Sequence, residues 1–153
     1  MLYFAYGSNM LTSRLRERAP SARVVGRADL LDHELRVHKR ARDGSAKCNV
    51  VPCRGAVVHG VLFALDDDED WTSLDRAEGC GAGYERATLV IAGQSAQLYI
   101  AQSEYIDESL LPFTWYLDLV VGGAREHGLP PDYIARLEGH AATCDPAAAV
   151  RAR

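Results

Sequence analysis

The chain begins with an apolar, aromatic run, Leu2-Tyr3-Phe4-Ala5-Tyr6, that stops at Gly7-Ser8-Asn9 and gives way to Leu11-Thr12-Ser13-Arg14-Leu15-Arg16. A run of this kind, ended by glycine and followed by apolar residues at helical spacing, reads as a strand turning sharply into a helix. Gly7 is expected to supply backbone angles closed to other residues, and Ser8 or Asn9 to cap the helix by accepting from its unpaired N–H groups. The corner then aims several polar atoms at one spot at the end of a buried strand, an arrangement suited to a small carboxylate or phosphate. A capped helix with no ligand accounts for the same residues.

Along the rest of the chain, a helix is expected from about Asn9 to Ala19, followed by alternating segments around Ala22–Leu31 and Glu34–Lys39. Arg40 to Arg54 is polar, carries Gly44 and Pro52, and reads as a loop of the length that often borders a site. Gly55 to Leu65 is too apolar for an edge strand and belongs inside a sheet or barrel. The acidic run Asp66 to Asp70 directly precedes Trp71 and Leu74, so it reads as the first turn of a helix ending at Gly79 and not as a calcium loop. Tyr84–Ile91 and Ala96–Ala101 form a hairpin around Gly93-Gln94, and Phe113–His127 and Pro131–Ala141 are helices separated by Gly128-Leu129-Pro130. The alanine-rich tail from Thr143 is expected to be frayed. Strands first, with helices inserted and then appended, describe one α+β domain over residues 1–153: a small, curved, mixed β-sheet or barrel with helices packed around it. No G-x-G-x-x-G or P-loop lysine accompanies the Gly7 corner, which argues against a nucleotide site.

A net charge of −4, from 17 basic and 21 acidic side chains, gives no sign of a nucleic-acid or membrane surface, and a small metabolite is the expected partner. Cys48, Cys53, Cys80 and Cys144 form no C-x-x-C pair and have no histidines at zinc-ligand spacing, so they read as free thiols with no metal. The opening lacks the pattern of a secretory leader and no apolar stretch approaches the ~20 residues of a membrane span, so a cytoplasmic location is expected. A homodimer is compatible with the sequence but not specified by it.

The most informative chemical candidate lies on the Asp67–Glu78 helix. At 100° per residue, Trp71, Leu74 and Glu78 share one face, which puts a carboxylate on the apolar stripe. Such a group is either paired with a cation, Arg76 or Arg86 here, or kept for acid/base work, because unpaired burial raises its pKa toward neutrality. Cys80 in the glycine-rich stretch that follows is a conceivable nucleophile, but no histidine lies near it in sequence. Tyr116 sits within the apolar face of its helix, where a phenol needs either a backbone carbonyl or a ligand.

Taken together, Tyr3-Phe4-Ala5-Tyr6-Gly7-Ser8-Asn9, Ser73-Leu74-Asp75-Arg76-Ala77-Glu78-Gly79, and Tyr116 followed by Gly123 to Pro130 resemble the γ-glutamylcyclotransferase family, AIG2-like proteins included. The resemblance implies a cyclisation in which the α-amine of a γ-glutamyl group attacks its own γ-carbonyl, giving 5-oxoproline and a free amino acid or amine. It implies no cofactor. By the match of L-D-x-x-E-G, Glu78 would be the acid/base; by the match of the first motif, Tyr3, Tyr6, Gly7, Ser8 and Asn9 would hold the glutamyl moiety. Tyr116 matches a substrate-contacting tyrosine, and Tyr84 would replace another across a loop one residue shorter than in some relatives. The alternative is a non-catalytic module of the same fold that binds γ-glutamyl metabolites or protein partners.

Overall fold

The structure, a computed structural model, describes residues 1–147. Five strands form one open, mixed sheet in the order β2-β3-β1-β5-β4. They are β1 (Leu2–Ala5), β2 (Arg23–Arg40), β3 (Ala46–Ala64), β4 (Tyr84–Ile91) and β5 (Gln94–Ala101). Helices α1 (Thr12–Arg18), α2 (Asp68–Glu78), α3 (Thr114–Glu126) and α4 (Pro131–Glu138) complete the α+β domain, and the sheet does not close into a barrel. β1 lies at the centre, antiparallel to β3 and parallel to β5. A strand with neighbours on both sides and packing on both faces has no place for water-exposed side chains. Phe4 and Ala5 are accordingly fully buried, alongside Phe63 of β3 and Leu98 of β5.

The expected loop over Arg40–Arg54 is instead the tip and return of a long hairpin. Only a short turn separates β2 from β3, with the Ala41 N–H bonded to the Ser45 carbonyl at 2.9 Å, and residues 46–54 are strand. Polar composition misled here because this half of β3 pairs on one side only, with β2, and leaves many of its side chains in contact with solvent. Pro52 is tolerated because it stands opposite His33, next to a register irregularity between Leu31 and His33. The two segments expected around Ala22–Leu31 and Glu34–Lys39 are likewise one bent strand, β2, in register with β3 nearly throughout.

The first helix is shorter than its apolar spacing suggests. A single 3₁₀ turn covers Ser8–Met10 and α1 starts only at Thr12, with no side-chain cap on either. Ser8 and Asn9 are therefore not capping residues, and Gly7 has φ −116°, outside the left-handed region. Gly7 is needed for space: a Cβ there would stand 3.2 Å from the Tyr116 hydroxyl and 3.3 Å from Cys48 Cβ.

α2 follows its sequence pattern closely. The Asp67 carboxylate accepts from the N–H groups of Glu69 and Asp70 at 2.8 and 3.2 Å, and Gly79 ends the helix in the left-handed conformation at φ 66°. Its buried face is Trp71 and Leu74. The Trp71 ring meets Tyr3 edge-on at 6.0 Å and its Nε1–H donates to the Leu65 carbonyl at 2.7 Å. Fully burying one large apolar side chain contributes about 1.5–3 kcal/mol, so these two residues are the anchors of the helix on the core. The β4–β5 hairpin turns through Ala92 and Gly93, both with positive φ, one residue earlier than expected. Thr143 and Asp145, in the stretch expected to fray, are tied in: the Thr143 N–H donates to Pro112, and Asp145 accepts from Trp115 Nε1 at 2.9 Å. The remainder of that stretch, 148–153, lies outside the described residues.

Candidate active site

The 3₁₀ turn that follows β1 brings Asn9 to Glu78, at the last residue of α2. Asn9 Nδ2 donates to Glu78 Oε1 at 2.6 Å and to the Tyr3 hydroxyl at 3.1 Å, while its Oδ1 accepts from Arg18 Nη1 at 3.2 Å. Every polar group of the Asn9 side chain is thus committed inside the protein. Ser8 Oγ accepts from Arg14 Nε at 3.0 Å.

Tyr3, Tyr6, Gly7, Ser8, Asn9, Glu78, Tyr84 and Tyr116, all eight residues singled out from the sequence, line one narrow cleft. Cys48 and Tyr99 complete its wall. Neither was legible beforehand. Cys48 lay in the supposed loop, and Tyr99 sits in a strand whose neighbours Leu98 and Ala96 are fully buried, where an aromatic reads as core. The signal that was available is the alternation of β5, which separates Tyr99 from Leu98 and places the two on opposite faces.

The tyrosines are arranged by the backbone around Cys48. The Cys48 N–H donates to the Tyr116 hydroxyl at 3.0 Å, and the Tyr84 hydroxyl donates to the Cys48 carbonyl at 2.6 Å. The Tyr6 hydroxyl donates to the Tyr99 carbonyl, and the Tyr99 hydroxyl to Asp75 Oδ1 at 2.6 Å. Tyr3 accepts from Asn9, and among the described residues no acceptor is placed for its own hydrogen. Burial raises the pKa of all five phenols, so they act as neutral hydrogen-bonding groups.

Among the described residues, Glu78 is the one carboxylate lining the cleft. Burial of its carboxyl raises its pKa above the usual carboxylate range, against the opposing influence of Arg18, the Asn9 hydrogen bond, Arg14 and Lys39. Its place in the last turn of α2 acts in the same direction as burial, since the carbonyl end of a helix disfavours negative charge. Of the two readings open for Glu78, the ion pair with Arg76 or Arg86 is not formed: Arg86 reaches Asp75 at 3.6 Å, and Arg76 is exposed. Among the described residues, Glu78 has no ion pair within 4.0 Å, and its partner is a neutral amide. A buried carboxylate left this way is costly to the fold and suited to proton transfer.

The thiols offer less. Cys80 is exposed and outside the cleft, and burial pushes the Cys48 thiol up to about 11. Among the described residues, no group of three His, Cys, Asp or Glu side chains is arranged to hold a metal, and no helix is long and apolar enough to cross a membrane. A second cavity, of about 450 Å³, lies between α3, α4 and the β2–β3 hairpin, walled by Leu35, Val57, Leu117 and Tyr133 among others. It is a larger space than the cleft but holds none of the eight residues singled out from the sequence, so size alone does not locate the chemistry.

Comparison with known proteins places this cleft in a family. Residues 57–137, which include Glu78, match the model of the AIG2-like family. The chain is 33% identical over 147 residues to the γ-glutamylcyclotransferase of Homo sapiens, covering 90% of this chain and 77% of that one. It is 32% identical over 146 residues to the Bos taurus γ-glutamylcyclotransferase, covering 89% and 76%. A solved structure of a γ-glutamyl cyclotransferase superposes with a TM-score of 0.83 at 28% identity, over 94% of this chain and 89% of that one. With homology over most of its length and the same fold around the cleft, the chain belongs to the AIG2-like family of γ-glutamylcyclotransferases.

Proposed function

We propose that the chain releases 5-oxoproline from γ-glutamyl amides, with Glu78 as the catalytic acid/base. The observation that carries this reading is the Glu78 carboxyl itself, buried against the Asn9 amide without a cation and facing a cleft walled by neutral tyrosines. In the first step Glu78 accepts a proton from the α-ammonium, and the freed amine attacks the γ-carbonyl carbon, closing a five-membered ring through a new C–N bond. The tetrahedral intermediate then collapses, the original C–N bond breaks, and Glu78 returns its proton to the departing nitrogen. As the lactam forms, the ring nitrogen gives up its second proton, which the released amine takes up as its ammonium, so Glu78 ends as a carboxylate, atoms and charge balance, and the reaction asks for no cofactor.

An intramolecular attack depends on holding the chain folded, and a well-oriented one is worth several kcal/mol of barrier. The glutamyl group spans the narrow cleft and the adjoining wider cavity, with Glu78 on the boundary of both. The first N–H groups of the Ser8–Met10 turn have no intrahelical partner, and they serve the α-carboxylate or the developing oxyanion together with the Tyr3 hydroxyl. Asn9 orients Glu78 and Tyr3, and is therefore a positioning residue in this scheme. Tyr6, Tyr84 and Tyr116 shape the pocket around Gly7. A reducing, cytoplasmic setting fits the four unpaired cysteines and belongs to the same reading.

The test is to incubate the protein with γ-glutamyl dipeptides, glutathione and γ-glutamyl amines and to detect 5-oxoproline. Release from at least one supports the proposal. Binding of a γ-glutamyl compound without turnover of any would instead make the protein a non-catalytic metabolite-binding module.

A further inference from the structure

Beyond Glu78 the cleft opens into a cavity of about 400 Å³ that shares Ser8, Glu78, Tyr84 and Tyr116 with it. Among the described residues, its walls carry six cations, Arg14, Arg18, Lys39, Arg42, Lys47 and Arg76, and two acids, Asp43 and Glu78. This excess of positive charge occurs in a protein whose net charge is −4. Lys47 Nζ approaches Asp43 at 4.0 Å, the outer limit of an ion pair, and Arg14 and Arg18 donate to the neutral side chains of Ser8 and Asn9. Among the described residues, the charges of Arg14, Arg18, Lys39, Arg42 and Arg76 meet no carboxylate within 4.0 Å.

The cations are also placed at a cost. Lys39 of β2 stands directly opposite Lys47 of β3 in the sheet register, and like charges facing each other across strands are destabilising. Neither lysine escapes to solvent. The Lys39 ammonium lies 4.7 Å from the Tyr84 ring centre, and the Lys47 ammonium 4.1 Å from that of Tyr116. Both ammonium groups are thereby held against rings that line the reactive cleft.

We propose that this cavity receives the leaving group and selects one with two or more negative charges, an acidic amino acid or acidic peptide joined through its nitrogen to the γ-glutamyl group. This rests on the cyclotransferase reading and narrows it. The α-ammonium and α-carboxylate of the glutamyl moiety cancel each other, so the leaving group is the part of the substrate left to answer the excess of cations. γ-Glutamyl-glutamate has the right chemistry. A γ-glutamyl bond to the side-chain amine of lysine, or to a polyamine, would bring further positive charge into the cavity.

The experiment compares kcat/KM for γ-glutamyl-glutamate with that for its near-isostere γ-glutamyl-glutamine, alongside γ-glutamyl-alanine and a γ-glutamyl polyamine. The acidic substrate is expected to lead the amide by about tenfold at low salt, with the margin shrinking as ionic strength rises. Arg42 and Arg76 are exposed, so the double variant Arg42→Gln, Arg76→Gln should fold normally and lower the ratio severalfold. A wild-type ratio near one, or a ratio unchanged in the double variant, overturns the charge selection while leaving the cyclotransferase reading intact, provided 5-oxoproline is released. Release of 5-oxoproline from none of the four overturns both.

Discussion

A carboxylate held by a neutral amide and largely withdrawn from water costs the fold something that an uncharged side chain would not. Because burial raises the pKa of Glu78, folding favours its protonated form, and its contribution to stability is greatest at low pH and lost as pH rises through the folded-state pKa. Glu78→Gln, which keeps the acceptor oxygen for Asn9, is expected to raise Tm at pH 8 and to change it little at pH 4. Equal shifts at both pH values would mean that the carboxyl is not desolvated. The Asn9 hydrogen bond works against burial, so Asn9→Ala releases Glu78 to a higher pKa. The acidic limb of the kcat/KM profile should therefore move to higher pH. An unmoved limb with raised KM and unchanged kcat would assign Asn9 to substrate binding.

At the scale of elements, α2 delivers Glu78 because both of its ends and one side are fixed. Asp67 caps its start, Gly79 ends it, and Asp75 ties it to the sheet through Tyr99 and Arg86. All of α2 was readable in sequence, since its cap, apolar stripe and terminal glycine lie within thirteen consecutive residues. The β2–β3 hairpin was not, because its outer half has one sheet neighbour and so lacks the apolar run of a buried strand. That misreading also hid Lys39 facing Lys47, a relation that exists only once the register is known. Burial, with Arg14 and Lys39 nearby, lowers Lys47 to about 8, although Asp43 opposes the shift. The charged form is thus disfavoured in the fold. Its cost is fully present below about pH 8 and is relieved as pH climbs toward the ordinary lysine value. Lys47→Met should therefore stabilise the unliganded protein most at pH 7 and less at pH 10, read from urea midpoints. The opposite sign at pH 7 would show that the Asp43 contact outweighs the repulsion.

α3 closes against the 3₁₀ turn at Gly123, where a Cβ would lie 2.5 Å from the Leu11 nitrogen and 2.7 Å from the Met10 carbonyl carbon. Both obstacles are backbone and cannot swing aside. Gly123→Ala should destabilise by about 1–3 kcal/mol, seen as a lower urea midpoint by tryptophan fluorescence, and an unchanged midpoint would show that the turn shifts freely.

For the whole molecule, the sheet brings together residues separated by more than a hundred positions, from Tyr3 on β1 to Tyr116 on α3. The motifs were visible singly, as a glycine corner, a glutamate on an apolar stripe and a tyrosine in a core helix. Their convergence on one cleft depends on the central position of β1, which no local pattern specifies. Cys48 and Tyr99 were missed for the same reason: each becomes part of the wall only after distant strands meet.

The central claim is that Glu78 carries the proton. The most direct measurement is 5-oxoproline release by Glu78→Gln beside the wild type on the best γ-glutamyl substrate, with affinity for that substrate measured on both. Loss of general acid/base catalysis should lower turnover by about 10²–10⁴-fold with binding retained. Wild-type release by the variant would contradict the account.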